Sequence, residues 1–184
     1  FFKQKTAYES YHVQKKKSPI YVDFLNKTYK SAHMNYDLAI TFTERGVDLL
    51  TQTGIFGFII TKKWLDTAYG EKLKILLTKR KAINEIIDFG YHQIFEDATT
   101  YTMLLFLTQA PNSTIQCIYV KDLKRTVEEL LDLTRSTERE DSTALVQTIS
   151  YEDLVPQKSL AWWWPRKKKS ILADRNLLGL VDVS

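Results

Sequence analysis

The chain has 184 residues, room for one core and the start of a second unit, and 26 Lys and Arg against 22 Asp and Glu give it a net charge of +4. That excess suits a nucleic-acid partner but is common among soluble proteins, so it assigns nothing alone. A lone cysteine, Cys117, excludes an internal disulfide or a Cys/His metal cluster; no apolar run nears the roughly 18 residues of a membrane span, and no secretory leader is recognisable, so a cytoplasmic protein with no metal and no membrane partner is expected.

Residues 1–34 interleave Lys3, Lys5, Lys15, Lys16, Lys17, Lys27 and Lys30 with Tyr8, Tyr11, Tyr21 and Tyr29. Cations neutralise phosphates and aromatics stack on bases, so this stretch reads as a DNA-facing loop and helix. It reads equally as a solvated segment whose partner lies elsewhere. Asn35 is expected to cap the next helix. Leu38, Ala39, Phe42, Leu49 and Leu50 share one face at 3.6-residue periodicity, with Glu44, Arg45 and Asp48 largely opposite. Gly46 either weakens that helix by roughly 1 kcal/mol relative to alanine or admits close packing. Gly54 is its expected stop.

Ile55–Thr61 is apolar without polar alternation, which predicts a central parallel strand covered on both faces. Lys62, Lys63, Trp64, Leu65 and Asp66 follow at its carboxyl end, where open α/β sheets bind ligands. Leu73, Leu76 and Leu77 give a second helix its apolar face. Ile83, Ile86, Ile87 and Phe89 form a second buried strand. The loop from Gly90 to Thr100 then sets an apolar ring, Phe95, among polar residues. Strands are predicted over 101–107 and 114–120, and the tight Pro111-Asn112-Ser113 connection suggests that they form a hairpin.

Residues 121–150 are polar, with a short helix near Val127–Leu133 and an exposed loop over 135–143. Trp162, Trp163 and Trp164 stand beside Arg166, Lys167, Lys168 and Lys169, either as a nucleic-acid grip or as a connector followed by a solvated helix over 170–178. Adjacent Glu96 and Asp97 have no nucleophile beside them and read as solvated. His12, His33 and His92 lack partners at a recognisable spacing, so no catalytic triad is supported.

The block over 35–120 resembles the DNA amino-methyltransferases of restriction–modification systems that methylate adenine N6, and most of all the type IIG enzymes, which fuse methylase and endonuclease. The resemblance rests on Phe42, Glu44, Leu49 and Leu50 in an F-x-E-x-x-x-x-L-L helix, Gly54, the strand 58–61, Trp64-Leu65, Gly90 at a strand end and the Ile94-Phe95 pair. It implies an α/β fold: the C-terminal half of a Rossmann-like S-adenosylmethionine-dependent methyltransferase, with a mixed sheet ending in a hairpin. It implies S-adenosylmethionine as cofactor, with Phe42 stacking on its adenine, and double-stranded DNA as partner, with Phe95 stacking on a flipped target adenine. Lys62, Lys63 and Trp64 are candidate DNA contacts.

The tetrapeptide N/D-P-P-Y/F and the Gly-rich cofactor turn of that family are absent, and none of the six glycines forms G-x-G. The chain is therefore expected to begin inside a domain, to hold no catalytic residue, to need the upstream half of the same methylase as partner, and to be inactive alone. The expected divisions are 1–34 (basic, aromatic segment), 35–121 (methyltransferase half), 122–150 (charged helix and loop) and 151–184 (connector toward a target-recognition domain). The alternatives are a non-enzymatic nucleic-acid-binding module and a decayed methylase serving as a structural subunit.

Overall fold

The computed structural model describes residues 18–96, 100–124 and 126–152. The expectations for 1–17, for Asp97 and for the tryptophan–lysine run at 162–169 with its helix lie outside the described residues. Ser18 and Pro19 open helix α1, Pro19–Thr28: the serine hydroxyl accepts the Tyr21 N–H at 3.4 Å, and proline sits where a missing N–H costs nothing. Helix α2 spans Leu38–Asp48 and is capped by Asp37, whose carboxylate accepts the Ala39 N–H at 3.0 Å. The expected cap, Asn35, lies two residues too early for that bond.

The predicted apolar face of α2 is also corrected. Ile40, Thr41, Thr43, Glu44 and Val47 are buried, whereas Phe42 and Leu49 are 54% and 66% exposed. Glu44 turns inward because its carboxylate accepts the N–H groups of Lys30 and Ser31, at 3.1 and 2.7 Å. Charge-assisted bonds of that kind offset the loss of water around a buried carboxylate. The Thr41 and Thr43 hydroxyls satisfy themselves on the carbonyls of Leu38 and Ala39. Gly46 serves close packing: a Cβ there would stand 2.3 Å from the Phe56 ring.

Strand β1, Ile55–Thr61, leads through the short helix α3, Lys63–Asp66, and a 3-10 turn to helix α4, Glu71–Arg80, and strand β2, Ile83–Asp88. Strands β3, Thr102–Thr108, and β4, Thr114–Val120, follow, then helix α5, Val127–Thr134, and strands β5, Arg139–Glu140, and β6, Ala144–Ser150. Thr126 and Glu129 close a reciprocal capping box at the start of α5.

Among the described residues the six strands lie in the order β1-β3-β2-β4-β6-β5. β3 is antiparallel to both of its neighbours, β2 and β4 run parallel, and β6 is antiparallel to β4 and β5. A mixed α/β sheet is therefore present, but two expectations about its strands change. Among the described residues β1 is an edge strand paired only with antiparallel β3, and Ile55 and Ile59 on one of its faces are 64% and 50% exposed. Second, β3 and β4 do not form a hairpin, because β2 lies between them. Asn112 ends that connection by donating its backbone N–H to Lys81 O and its side-chain amide to Thr108 Oγ1, which turns the chain past the start of β2. The hairpin that ends the sheet is β5–β6, turned by Asp141, which accepts from Thr143 and Ala144.

The core has two parts, one on each face of the sheet. On one face α1, α2 and α4 cover Ile60, Met103, Leu105, Leu107, Ile86 and Cys117, with Trp64 wholly buried. On the other, Ile87, Ile118, Val120, Ala144 and Val146 pack on Leu133 of α5. Strand β6 occupies 144–150, within the stretch expected as charged helix and loop. It extends the sheet, and Tyr151 behind it joins the first core.

The candidate active-site edge

β1, β2 and β4 point the same way, so their carboxyl ends form one edge. The segment after β1 and the loop from β2 to β3 both emerge there. Asp88, the last residue of β2, is 3% exposed. Its Oδ1 accepts the Gly90 N–H at 2.8 Å, and the Lys62 ammonium stands 3.4 and 3.3 Å from its two oxygens. Burial pushes the Asp88 carboxyl above the ordinary aspartate range, opposed by the Lys62 charge and the Gly90 N–H.

Gly90 has φ +62°, which other residues adopt only with strain, and a Cβ there would meet the Tyr119 hydroxyl at 2.7 Å. The next residue, Tyr91, lies under the Lys62 ammonium, 4.8 Å from ring centroid to nitrogen, and meets Tyr101 edge-on at 5.2 Å. The Lys62 backbone N–H donates to Tyr101 O at 3.0 Å. Farther out, His92 Nε2 lies 3.0 Å from Lys121 O, a link to the end of β4. The Gln93 amide donates to the carbonyls of Phe95 and Glu96 at 3.0 and 2.8 Å. These bonds fix the backbone at Phe95, and its ring is 44% exposed.

The structure thus brings Lys62 and the start and end of the Phe95 loop together. Lys63 is exposed at the start of α3. Trp64 has no exposed surface and packs in the core beneath the helices, so as a DNA contact it is corrected to a core residue. Phe42 stands on the outer flank of α2, one turn before Gly46. Asp88, Tyr91, Gln93 and Tyr101 carry no expected role from sequence. A carboxylate closing an apolar strand and followed at once by Phe-Gly was the signal for the first of them. Among the described residues no group of three or more His, Cys, Asp and Glu could hold a metal, and no helix is long and apolar enough to cross a membrane.

Comparison with known proteins gives this edge its context. Residues 6–95 match the family described as Eco57I restriction-modification methylase. The type II restriction enzyme and methyltransferase RM.Eco57I of Escherichia coli is 33% identical over 142 residues, which cover 75% of this chain and 14% of that protein. The type II methyltransferase M.BstVI of Geobacillus stearothermophilus is 22% identical over 122 residues, 64% of this chain and 22% of that protein. The chain therefore spans a small part of these relatives. Among solved structures, the type IIG restriction endonuclease BpuSI matches with a TM-score of 0.60 at 14% identity, over 92% of this chain and 21% of that one. A type I methyltransferase subunit from Streptococcus thermophilus matches with a TM-score of 0.56 at 19% identity, over 68% of this chain and 29% of that one. At such identities the structures speak for the fold alone. Sequence and fold together place this chain among the restriction–modification methylases.

Proposed function

We propose that the protein containing this chain transfers a methyl group from S-adenosylmethionine to N6 of an adenine flipped out of duplex DNA, and that Phe95 is the platform on which that adenine stacks. The observation that carries this is Phe95 itself: a half-exposed ring at the ligand-binding edge of the sheet, on a loop braced by Gln93 and His92. A base held outside the helix loses its stacking neighbours, and an aromatic platform returns about 1–3 kcal/mol per base. Lys63, exposed beside that edge, is proposed to meet backbone phosphate. Phe42, exposed on α2, is proposed as a contact to the cofactor's adenine.

The chain carries no N/D-P-P-Y/F motif, so the groups that polarise the adenine amine would come from the upstream half of the same methylase. The edge of β1 that no described strand pairs, with Ile55 and Ile59 exposed beside it, is where that half is proposed to continue the sheet. Without it the chain is proposed to be inactive, and in the cell the protein is proposed to be cytoplasmic. In the test, duplexes carrying 2-aminopurine at single adenine positions are added to the full-length protein. Brightening that depends on Phe95, and is lost in Phe95→Ala with S-adenosylmethionine binding retained, is expected. Undiminished brightening in Phe95→Ala would remove the platform.

A further inference from the structure

Lys62 is a candidate DNA contact by sequence, but its surroundings assign it other work. Its ammonium already faces a buried carboxylate, and its side chain is only 18% exposed. A cation neutralised in that way releases no counterion from DNA when the complex forms. What Lys62 does touch is distinctive: it meets both ends of the loop that carries Phe95. At the loop's beginning, the ammonium bonds Asp88, which holds the Gly90 N–H, and caps the face of the Tyr91 ring. At its end, the Lys62 N–H donates to Tyr101 O, and the Tyr101 ring meets that of Tyr91 edge-on. In sequence, Phe95 lies near the midpoint between these two feet.

We propose that Lys62, through Asp88 and Tyr91, is a positioning residue that pins both ends of the 90–101 loop to the end of β1 and so sets where the Phe95 ring meets the extruded base. This rests on Phe95 being the base platform. A buried ion pair contributes little net stability, because desolvation offsets its attraction, yet it specifies one geometry. Geometry is what the proposed reaction needs from the loop. A misplacement of about 1 Å between reacting groups can lower a rate by about 100-fold.

Lys62→Met keeps the aliphatic stem and removes the charge, and Lys62→Arg restores a cation over Asp88 and Tyr91. In the full-length protein, Lys62→Met is expected to lower kcat for methylation by about 10- to 100-fold. S-adenosylmethionine affinity should stay unchanged, and so should the slope of log DNA affinity against log salt. Amides 90–96, 100 and 101 should exchange with deuterium at least several-fold faster while those of β4 and β6 do not, and Lys62→Arg should recover most of both effects. A salt slope that falls by about one unit in Lys62→Met with kcat intact would make Lys62 a phosphate contact and overturn the proposal. Unchanged exchange at those loop amides would overturn it too. The 2-aminopurine signal of Phe95→Ala is read separately: if it persists, the platform falls, while the exchange of the loop in Lys62→Met still decides whether Lys62 holds it.

Discussion

Removing one hydroxyl, in Tyr151→Phe, tests whether the stretch after α5 belongs to the same folded unit as the loop. Tyr151 follows β6, and its ring is 7% exposed in the first core. Its hydroxyl accepts the Ile83 N–H at 2.6 Å and donates to Ile83 O at 2.8 Å, joining positions 68 residues apart. Phenylalanine fills the same volume, so no cavity term arises. Ile83 O keeps the Asn112 amide at 3.4 Å, but the N–H of a residue with no exposed surface loses the hydroxyl. Leaving such a donor unmet costs about 1–3 kcal/mol. A midpoint of about 2 kcal/mol corresponds to roughly 30-fold in an opening equilibrium, at about 1.4 kcal/mol per tenfold. Native-state hydrogen exchange reads it directly: amides of β2 and β6 should exchange roughly 30-fold faster in Tyr151→Phe. Exchange unchanged within a factor of two would mean that the hydroxyl does not bridge the two strands, and that residues 144–151 are not part of this sheet.

Three further outcomes follow from the packing and the charges. Gly46→Ala should destabilise although alanine is the better helix former by about 1 kcal/mol, because its methyl group would collide with the Phe56 ring; a raised thermal midpoint would show that α2 does not pack so closely. Glu85 is raised above its ordinary range by burial, and its Oε1 accepts no hydrogen bond among the described residues. A carboxyl raised on folding contributes stability fully below its unfolded pKa and loses it as pH rises through the folded value. Denaturant midpoints should therefore fall above about pH 4.3 as Glu85 ionises, and Glu85→Gln should flatten that slope; identical slopes would refute the burial. Burial pushes the Cys117 thiol up to about 12, so a disulfide reagent at pH 8 should label it only after unfolding, and rapid labelling of the native protein would place it outside the sheet.

Periodicity and apolar runs made most elements legible. β4 was read at its full length and α5 to within a residue, because apolar runs and the polar stretches between them bound both. Strand neighbours were not legible. Ile55–Thr61 looks buried on both faces because Ile and Phe alternate with more Ile and Phe, yet only pairing tells an edge from a centre. The turn at Pro111 has hairpin chemistry, but β2 had already taken the place beside β3. The α2 face was misread because hydrophobicity alone puts Phe42 inside and Glu44 outside; two backbone N–H groups from another segment reverse the order, and no local pattern announces them. At the site, Lys62 and the loop that carries Phe95 drew notice because both follow the carboxyl ends of strands. Trp64 was misplaced, since a tryptophan after a strand reads equally as a rim residue and as part of a buried helical turn. The pairing of Lys62 with Asp88 spans 26 positions, a separation at which sequence offers no spacing rule.

The most direct measurement is the product of the reaction. Full-length protein is incubated with S-adenosylmethionine labelled on its methyl group and with duplex DNA of mixed sequence, and the DNA is digested to nucleosides. Label in N6-methyl-2′-deoxyadenosine, and its loss in Phe95→Ala, is the predicted result. Label in a methylated cytosine, or no transfer by a protein that binds both cofactor and DNA, would contradict it.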